Sequence, residues 1–167
     1  RRLSRAAGYA EWVSANYFAT LALPRLGWVR WIYVLCDLAE MAFPQPATTR
    51  EGLAFLGSSM THLGVDAGDS LDLALYLRAE RSIDQDYTLF VHLLDEEGSC
   101  CGQVDQQPFG GHYPTSEWHP GQTLIQEIAL PVRADAPPGE KMLALGFYDA
   151  QVHRLSLYDT QGHRLPD

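Results

Sequence analysis

Histidine and carboxylate side chains are the residues of this sequence that could carry out acid and base chemistry. The candidates lie in the middle of the chain: His92, Asp105, His112 and His119. Nucleophilic catalysis needs a Ser or Cys beside such a base, at an elbow or a helix start. The sequence offers none there, and Gly110-Gly111 is too short to cradle a phosphate. We therefore expect a protein that is not an enzyme.

Cysteine and histidine spacing bears on metal binding and on disulfide bonds. Cys100 and Cys101 are adjacent, so on a strand their side chains would point to opposite faces. Cys36 lies in a different, N-terminal region. No C-x-x-C motif or histidine pair stands at metal-ligand spacing. The sequence predicts no metal site and no cofactor, and it favours three free thiols without fixing their disulfide state.

Residues 108–121 form a long irregular stretch with the side chains best suited to bind a ligand. Its aromatic rings and polar neighbours are Tyr113, Trp118, His112, Gln107 and Glu117. Sugar C–H faces stack on aromatic rings while the hydroxyls need hydrogen-bond donors and acceptors, so this loop is a candidate carbohydrate-binding site. The alternative is that Trp118 folds down and plugs the end of the domain.

Charge is distributed unevenly along the chain. The 167 residues carry a net charge of −9, but residues 1–50 have six Arg against three acids. Residues 51–167 have six basic groups against eighteen acids. Phosphate contacts need clustered Lys and Arg, so the acidic body argues against nucleic acid as a partner.

The elements that would position these residues are short strands. Tyr87 to Asp95 alternates with apolar residues on both faces and is expected to be a central strand, followed by a turn at Gly98. Ser70 to Ala79 alternates with four leucines on one face. Further short strands separated by Pro and Gly turns predict a mainly β fold, an antiparallel immunoglobulin-like or jelly-roll sandwich over residues 51–167.

An N-terminal helical segment, residues 1–43, precedes this body. The window 28–42 is amphipathic, with one apolar stripe and an opposite polar side. The stripe includes Trp28, Trp31, Ile32 and Leu35, and the opposite side holds Arg30, Tyr33, Asp37 and Glu40. Residues 44–50, with two prolines, are expected to be an extended linker. The helix could lie at a membrane interface, span a membrane among other helices, or pack on the sandwich or a neighbouring subunit.

Several motifs of the body together resemble a known kind of domain. They are Leu75-Tyr76-Leu77, Asp86 to Asp95, Pro114-Thr115 with Trp118 and Pro120-Gly121, Pro137 to Glu140, and Gly146-Phe147-Tyr148-Asp149. This pattern resembles the C-terminal β-sandwich domain of bacterial membrane proteins similar to the dolichyl-phosphate-mannose-dependent glycosyltransferases. The resemblance implies an extracytoplasmic accessory domain beside a membrane. It does not imply glycosyl transfer, because the catalytic acids of that family lie in membrane loops that this sequence lacks.

The functional expectation is a noncatalytic module that mediates protein interaction or assembly. We expect it to be membrane-associated, on the extracytoplasmic face of a bacterial cell, with other protein subunits as partners. A membrane surface and a glycan are the other candidate partners. The alternatives are a carbohydrate-binding module that uses loop 108–121 and an accessory domain of a membrane glycosyltransferase-like protein.

Overall fold

The computed structural model of the chain describes residues 43–60 and 64–165. These residues form a mainly β fold with two antiparallel sheets, of five and three strands. The strands are β1 (Phe43–Thr49), β2 (Leu53–Met60), β3 (Ser70–Ala79), β4 (Thr88–Leu94), β5 (Cys100–Gln106), β6 (Thr123–Pro131), β7 (Met142–Tyr148) and β8 (Leu157–Tyr158). Two short 3-10 helices, Pro108–Gly111 and Thr115–Glu117, lie between β5 and β6. The helix predicted over residues 28–42 lies outside the described residues, and no helix within them is long and apolar enough to cross a membrane.

The two sheets use different parts of the chain. The five-stranded sheet has the order β6-β3-β2-β1-β8, and the three-stranded sheet has the order β5-β4-β7. The predicted central strand is confirmed, because β4 pairs with β5 on one side and with β7 on the other. The chain crosses between the sheets after β3, β5, β6 and β7.

One core lies between the sheets, as strand alternation predicts. From β3 the residues Leu71, Leu73, Leu75 and Leu77 point into it, and from β4 the residues Leu89, Val91 and Leu93 do so. Four of these seven side chains, Leu75, Leu77, Leu89 and Val91, are fully shielded from solvent. The burial of apolar surface, at about 25 cal/mol per Å², is the dominant favourable contribution to such a fold.

Strand β1 corrects the expectation of a linker over residues 44–50. It pairs with β2, placing Phe43 opposite Ser58, and with β8, placing Thr49 opposite Leu157. The register shifts between Pro44 and Ala47, and a proline, which lacks an N–H group, is tolerated at such a bulge. The side chain of Thr49 accepts a hydrogen bond from Leu53 N at 3.1 Å, which fixes the turn into β2. Residues 43–49 are therefore a strand of the β body.

The C-terminal residues form two copies of one turn, which we call the twin turns, Asp149–His153 and Asp159–His163. In the first, Asp149 Oδ1 accepts hydrogen bonds from the backbone N–H groups of Gln151 and His153 at 2.9 and 2.8 Å. In the second, Asp159 Oδ1 accepts from Gln161 and His163 at 2.8 and 2.9 Å. In both copies a Tyr precedes the Asp and Arg-Leu follows the His, so the same local sequence accompanies the repeated geometry.

The sheets approach each other closely where β5 meets the end of β6. A Cβ atom on Gly102 would collide with the carbonyl oxygen of Pro131. Just beyond, Arg133 N donates a hydrogen bond to Cys101 O at 2.8 Å. Glycine is therefore required at this position of β5 because the opposing atom belongs to the backbone and cannot move aside.

Candidate functional site

The aromatic rings of loop 108–121 are buried and do not form a ligand platform in this structure. Tyr113 has no solvent exposure and Trp118 has 2%. Trp118 Nε1 donates to the carbonyl oxygen of Tyr113 at 3.1 Å, and the Tyr113 hydroxyl donates to Gln122 Oε1 at 2.8 Å. Burial raises the pKa of Tyr113, an effect only partly offset by the Gln122 hydrogen bond. Trp118 thus plugs the end of the core, which was the alternative interpretation of the loop.

Polar side chains bind this loop to the rest of the domain. Thr115, fully buried, accepts a hydrogen bond from Tyr87 N at 2.9 Å and donates to Gln85 O at 3.0 Å. Gln126 Oε1 accepts from Phe109 N at 2.6 Å. The loop is therefore anchored to the core by hydrogen bonds as well as by its buried rings.

The polar residues proposed around the rings do not join them in a site. Gln107, His112 and Glu117 are all exposed, while the two rings lie in the core. A sugar that reached these polar groups would find no ring face beside them. The helix residues proposed as an interface, Trp28, Trp31, Ile32 and Leu35, lie outside the described residues.

A different group of polar and aromatic side chains lies on the outer face of the three-stranded sheet. His92 Nε2 lies 3.3 Å from Asp105 Oδ2, and their side chains are 19% and 30% exposed. The strand neighbours of His92 are Gln103 on β5 and Ala144 on β7, and neither can act as a nucleophile. The pair can donate and accept hydrogen bonds. A free thiol, that of Cys100, lies 3.6 Å from Gln103 Oε1, so a potential nucleophile is present beside this strand neighbour of His92.

Phe90 is the centre of this outer face. The Arg154 guanidinium carbon lies 4.6 Å from the centroid of the Phe90 ring, a cation–π contact. The rings of His92 and Tyr148 lie with their centroids 5.1 and 6.2 Å from that of Phe90. Opposite Phe90 on β7 stands Gly146, where an added Cβ would meet the Phe90 ring at 2.8 Å. Glycine at position 146 therefore lets the Phe90 ring pack over β7.

We call this group, Phe90, His92, Asp105, Tyr148 and Arg154, the Phe90 surface. Its neighbour on β7, Met142, is 60% exposed and stands opposite Leu94. The surface combines aromatic, aliphatic, cationic and anionic groups whose positions are fixed by strands and by ring contacts. Such a surface can bind a partner without first having to be ordered.

Among the described residues, no three His, Cys, Asp or Glu side chains come together in a way that could hold a metal ion. Cys100 and Cys101 are free, Cys101 is buried, and the predicted third thiol, Cys36, lies outside the described residues.

The sequence did not reveal the Phe90 surface. Phe90, His92 and Leu94 alternate as a second apolar face, which is typical of a strand that is covered on both sides. Arg154 comes from a turn more than sixty positions along the chain. One sequence signal was available. Gly146 lies inside a predicted strand, and a glycine there can indicate that another group packs closely against the backbone.

No protein-family model, curated protein or solved structure matches this chain. Its function is therefore inferred from its own surfaces.

Proposed function

We propose that this chain is a noncatalytic module that mediates protein interaction or assembly at or near a membrane, through the Phe90 surface. Its β body would be an antiparallel sandwich of the immunoglobulin-like or jelly-roll kind, a proposal supported by the two antiparallel sheets around one core. The observation that carries the function is the cluster on the outer face of the three-stranded sheet, in which the exposed Arg154 covers Phe90, itself 6% exposed.

The composition of the Phe90 surface supports a protein partner. Tyr, Phe, Met and Arg are enriched in the centres of protein interfaces. Arg154 already stacks on Phe90, so less side-chain freedom is lost on binding. The matching partner surface would present a carboxylate to Arg154 and an apolar side chain to Met142.

The charge distribution supports a place beside a membrane. The acidic residues 51–167 would be repelled by anionic lipid, whereas residues 1–50 carry a positive balance. Attachment through the N-terminal segment would leave the body free to bind a protein. The resemblance of the body to a domain of bacterial membrane proteins supports the extracytoplasmic face, and an accessory role beside a glycosyltransferase-like membrane protein is one form of the same proposal.

Photo-crosslinking in cells tests the proposal. A photoreactive residue at Ala144, beside His92 on the Phe90 surface, should give one discrete adduct with another protein. Arg154→Glu in the same chain should abolish the adduct, because loss of an arginine anchor costs about 2 kcal/mol or more in binding, roughly thirtyfold in affinity. Arg133→Glu is the matched control, since Arg133 is also exposed but lies where β6 ends.

Three results would contradict the proposal. One is no adduct from Ala144, and a second is an adduct that persists in Arg154→Glu. The third is binding of the purified chain to a glycan array that Arg154→Glu removes, which would make the surface a carbohydrate-binding site instead.

A further inference from the structure

The five-stranded sheet has apolar side chains on the face that points away from the core. Ala54 and Leu56 lie on β2, Tyr76 on β3 and Ile125 on β6, and their exposures range from 3 to 8%. Their strand neighbours Phe55, Leu75, Leu77 and Leu124 point the other way, into the shared core. We call these four residues the outer cluster. An apolar sheet face is stable in water only when another layer covers it.

The outer cluster is shielded from solvent, and a groove adjoins it. Among the described residues, Ala74 is the hydrophobic side chain that packs against the cluster. A groove of about 500 Å³ continues from it across β1 and β2, with Ala54 and Leu56 in its floor and Arg78 and Tyr158 at its sides. The apolar face and the groove together extend over β6, β3, β2 and β1.

We propose that the amphipathic helix predicted over residues 28–42 docks on the outer cluster and forms a third layer of the fold. The chain leads there directly, because β1 begins at Phe43 and pairs with β2, the strand that carries Ala54 and Leu56. The predicted helix is therefore close to this sheet along the chain. A partner tethered this closely acts at an effective concentration in the millimolar range or above.

The dimensions and chemistry of the helix fit this face. Fifteen helical residues are about 22 Å long at 1.5 Å per residue. The four strands from β6 to β1 span about 14 Å at 4.8 Å between neighbours, so one helix can cross them diagonally. The stripe of Trp28, Trp31, Ile32 and Leu35 supplies an apolar side to meet the cluster, and it leaves the polar side in solvent.

A lipid surface is a poorer occupant of this face than the helix. Eighteen acids against six basic groups in residues 51–167 would oppose contact between the sheet and anionic lipid. If the stripe packs on the sheet, it is no longer available to lie in a membrane interface. Attachment to a membrane would then depend on the arginines that precede the stripe, Arg1, Arg2, Arg5 and Arg25. The outer cluster lies on a different face from the Phe90 surface, so protein binding by that surface is tested separately.

Photo-crosslinking of the purified full chain tests the docking. A photoreactive residue at Ala74 should give an adduct within one chain, to a peptide from residues 28–42. Ala144 is the matched control, because it is also a half-buried alanine but lies on the outer face of the other sheet. An Ala74 adduct to a second copy or to added lipid vesicles, or the absence of any adduct, would overturn the proposal.

Hydroxyl-radical footprinting gives an independent measurement. In the full chain, Leu35→Glu should raise the oxidation of Tyr76 about fivefold, since local loss of a docked element exposes what it covered. Tyr33→Glu, on the opposite side of the predicted helix, should leave it unchanged. Equal oxidation of Tyr76 in both variants and the unaltered chain would refute docking. Oxidation of the fully buried core residue Phe147 shows whether a variant is still folded. If Leu35→Glu raises the oxidation of Phe147, that variant has unfolded, and the docking is then tested by the Ala74 crosslink alone.

Discussion

Replacing Trp118 by phenylalanine should destabilise the domain, because the ring is a structural plug. Phenylalanine keeps an aromatic ring but removes the indole N–H that donates to the Tyr113 carbonyl oxygen at 3.1 Å. Leaving a buried carbonyl without a partner costs about 1 to 3 kcal/mol. The smaller ring also buries roughly 40 Å² less apolar surface, about 1 kcal/mol at 25 cal/mol per Å². We expect a total loss of about 2 to 4 kcal/mol in the free energy of unfolding.

Urea denaturation followed by circular dichroism measures this loss. A domain of this size has a stability of about 5 to 15 kcal/mol, so the variant should remain folded. With a denaturant slope of about 2 kcal/mol per M, the midpoint should fall by roughly 1 to 2 M. His119→Ala is the control, because this neighbouring residue is exposed and the change should stay within about 0.5 kcal/mol.

The opposite result has a clear meaning. A ring that served mainly to bind a ligand would contribute little to folding. A loss below about 0.5 kcal/mol for Trp118→Phe, equal to the control, would refute the plug and restore the loop as a binding site.

Three further changes test other parts of the structure. Gly146→Ala should cost about 1 to 3 kcal/mol through collision with Phe90, and Phe90→Ala in the same chain should remove that cost in a double-mutant cycle; additive losses would contradict the contact. Gly102→Ala should lower the melting temperature because the Pro131 carbonyl cannot yield, whereas Gly64→Ala, with open space around it, should not; equal effects would count against the close approach. Backbone N–H groups lower the pKa of both aspartates of the twin turns below the ordinary 3.8, so the stability they add is present above that pH and is lost as pH falls through the lowered values. The melting temperature should therefore decrease when the pH is lowered below about 4, and replacing both aspartates by Asn should make this decrease smaller. The same pH dependence in the double variant and the unaltered chain would be evidence against a contribution of the twin turns.

Local alternation was enough to predict the strands of the core. The bounds of β3, Ser70–Ala79, coincide with those predicted, and β4 differs from the prediction by one residue at each end. These strands have leucines or other apolar residues at every second position, so one face can be assigned from the sequence alone. The antiparallel pairing of β4 with β5 follows from the short turn between them, whereas the pairings of β3 with β6 and of β4 with β7 join strands distant in sequence.

The parts that depend on distant residues were not predictable. Two prolines made residues 44–50 look like a linker, yet β2 and β8 recruit them into a sheet through pairings with Ser58 and Leu157. Whether Trp118 is a plug or a platform depends on its bond to Tyr113 and on anchors such as Thr115, which no local pattern specifies. The Phe90 surface likewise depends on a contact between residues far apart in sequence, the guanidinium of Arg154 and the ring of Phe90 on β4.

The position of β1 also determines how mechanical force would enter the domain. A pull on the chain ahead of Phe43 acts directly on a strand that is bonded to β2 on one side and to β8 on the other. Force along the strand would load these bonds together in shear, whereas force across it would open them one after another. β8 has two residues and is paired in the sheet with β1 alone, so extraction of β1 would release β8 as well. This edge of the sheet would yield first, while β2, β3 and β6 could stay paired under load.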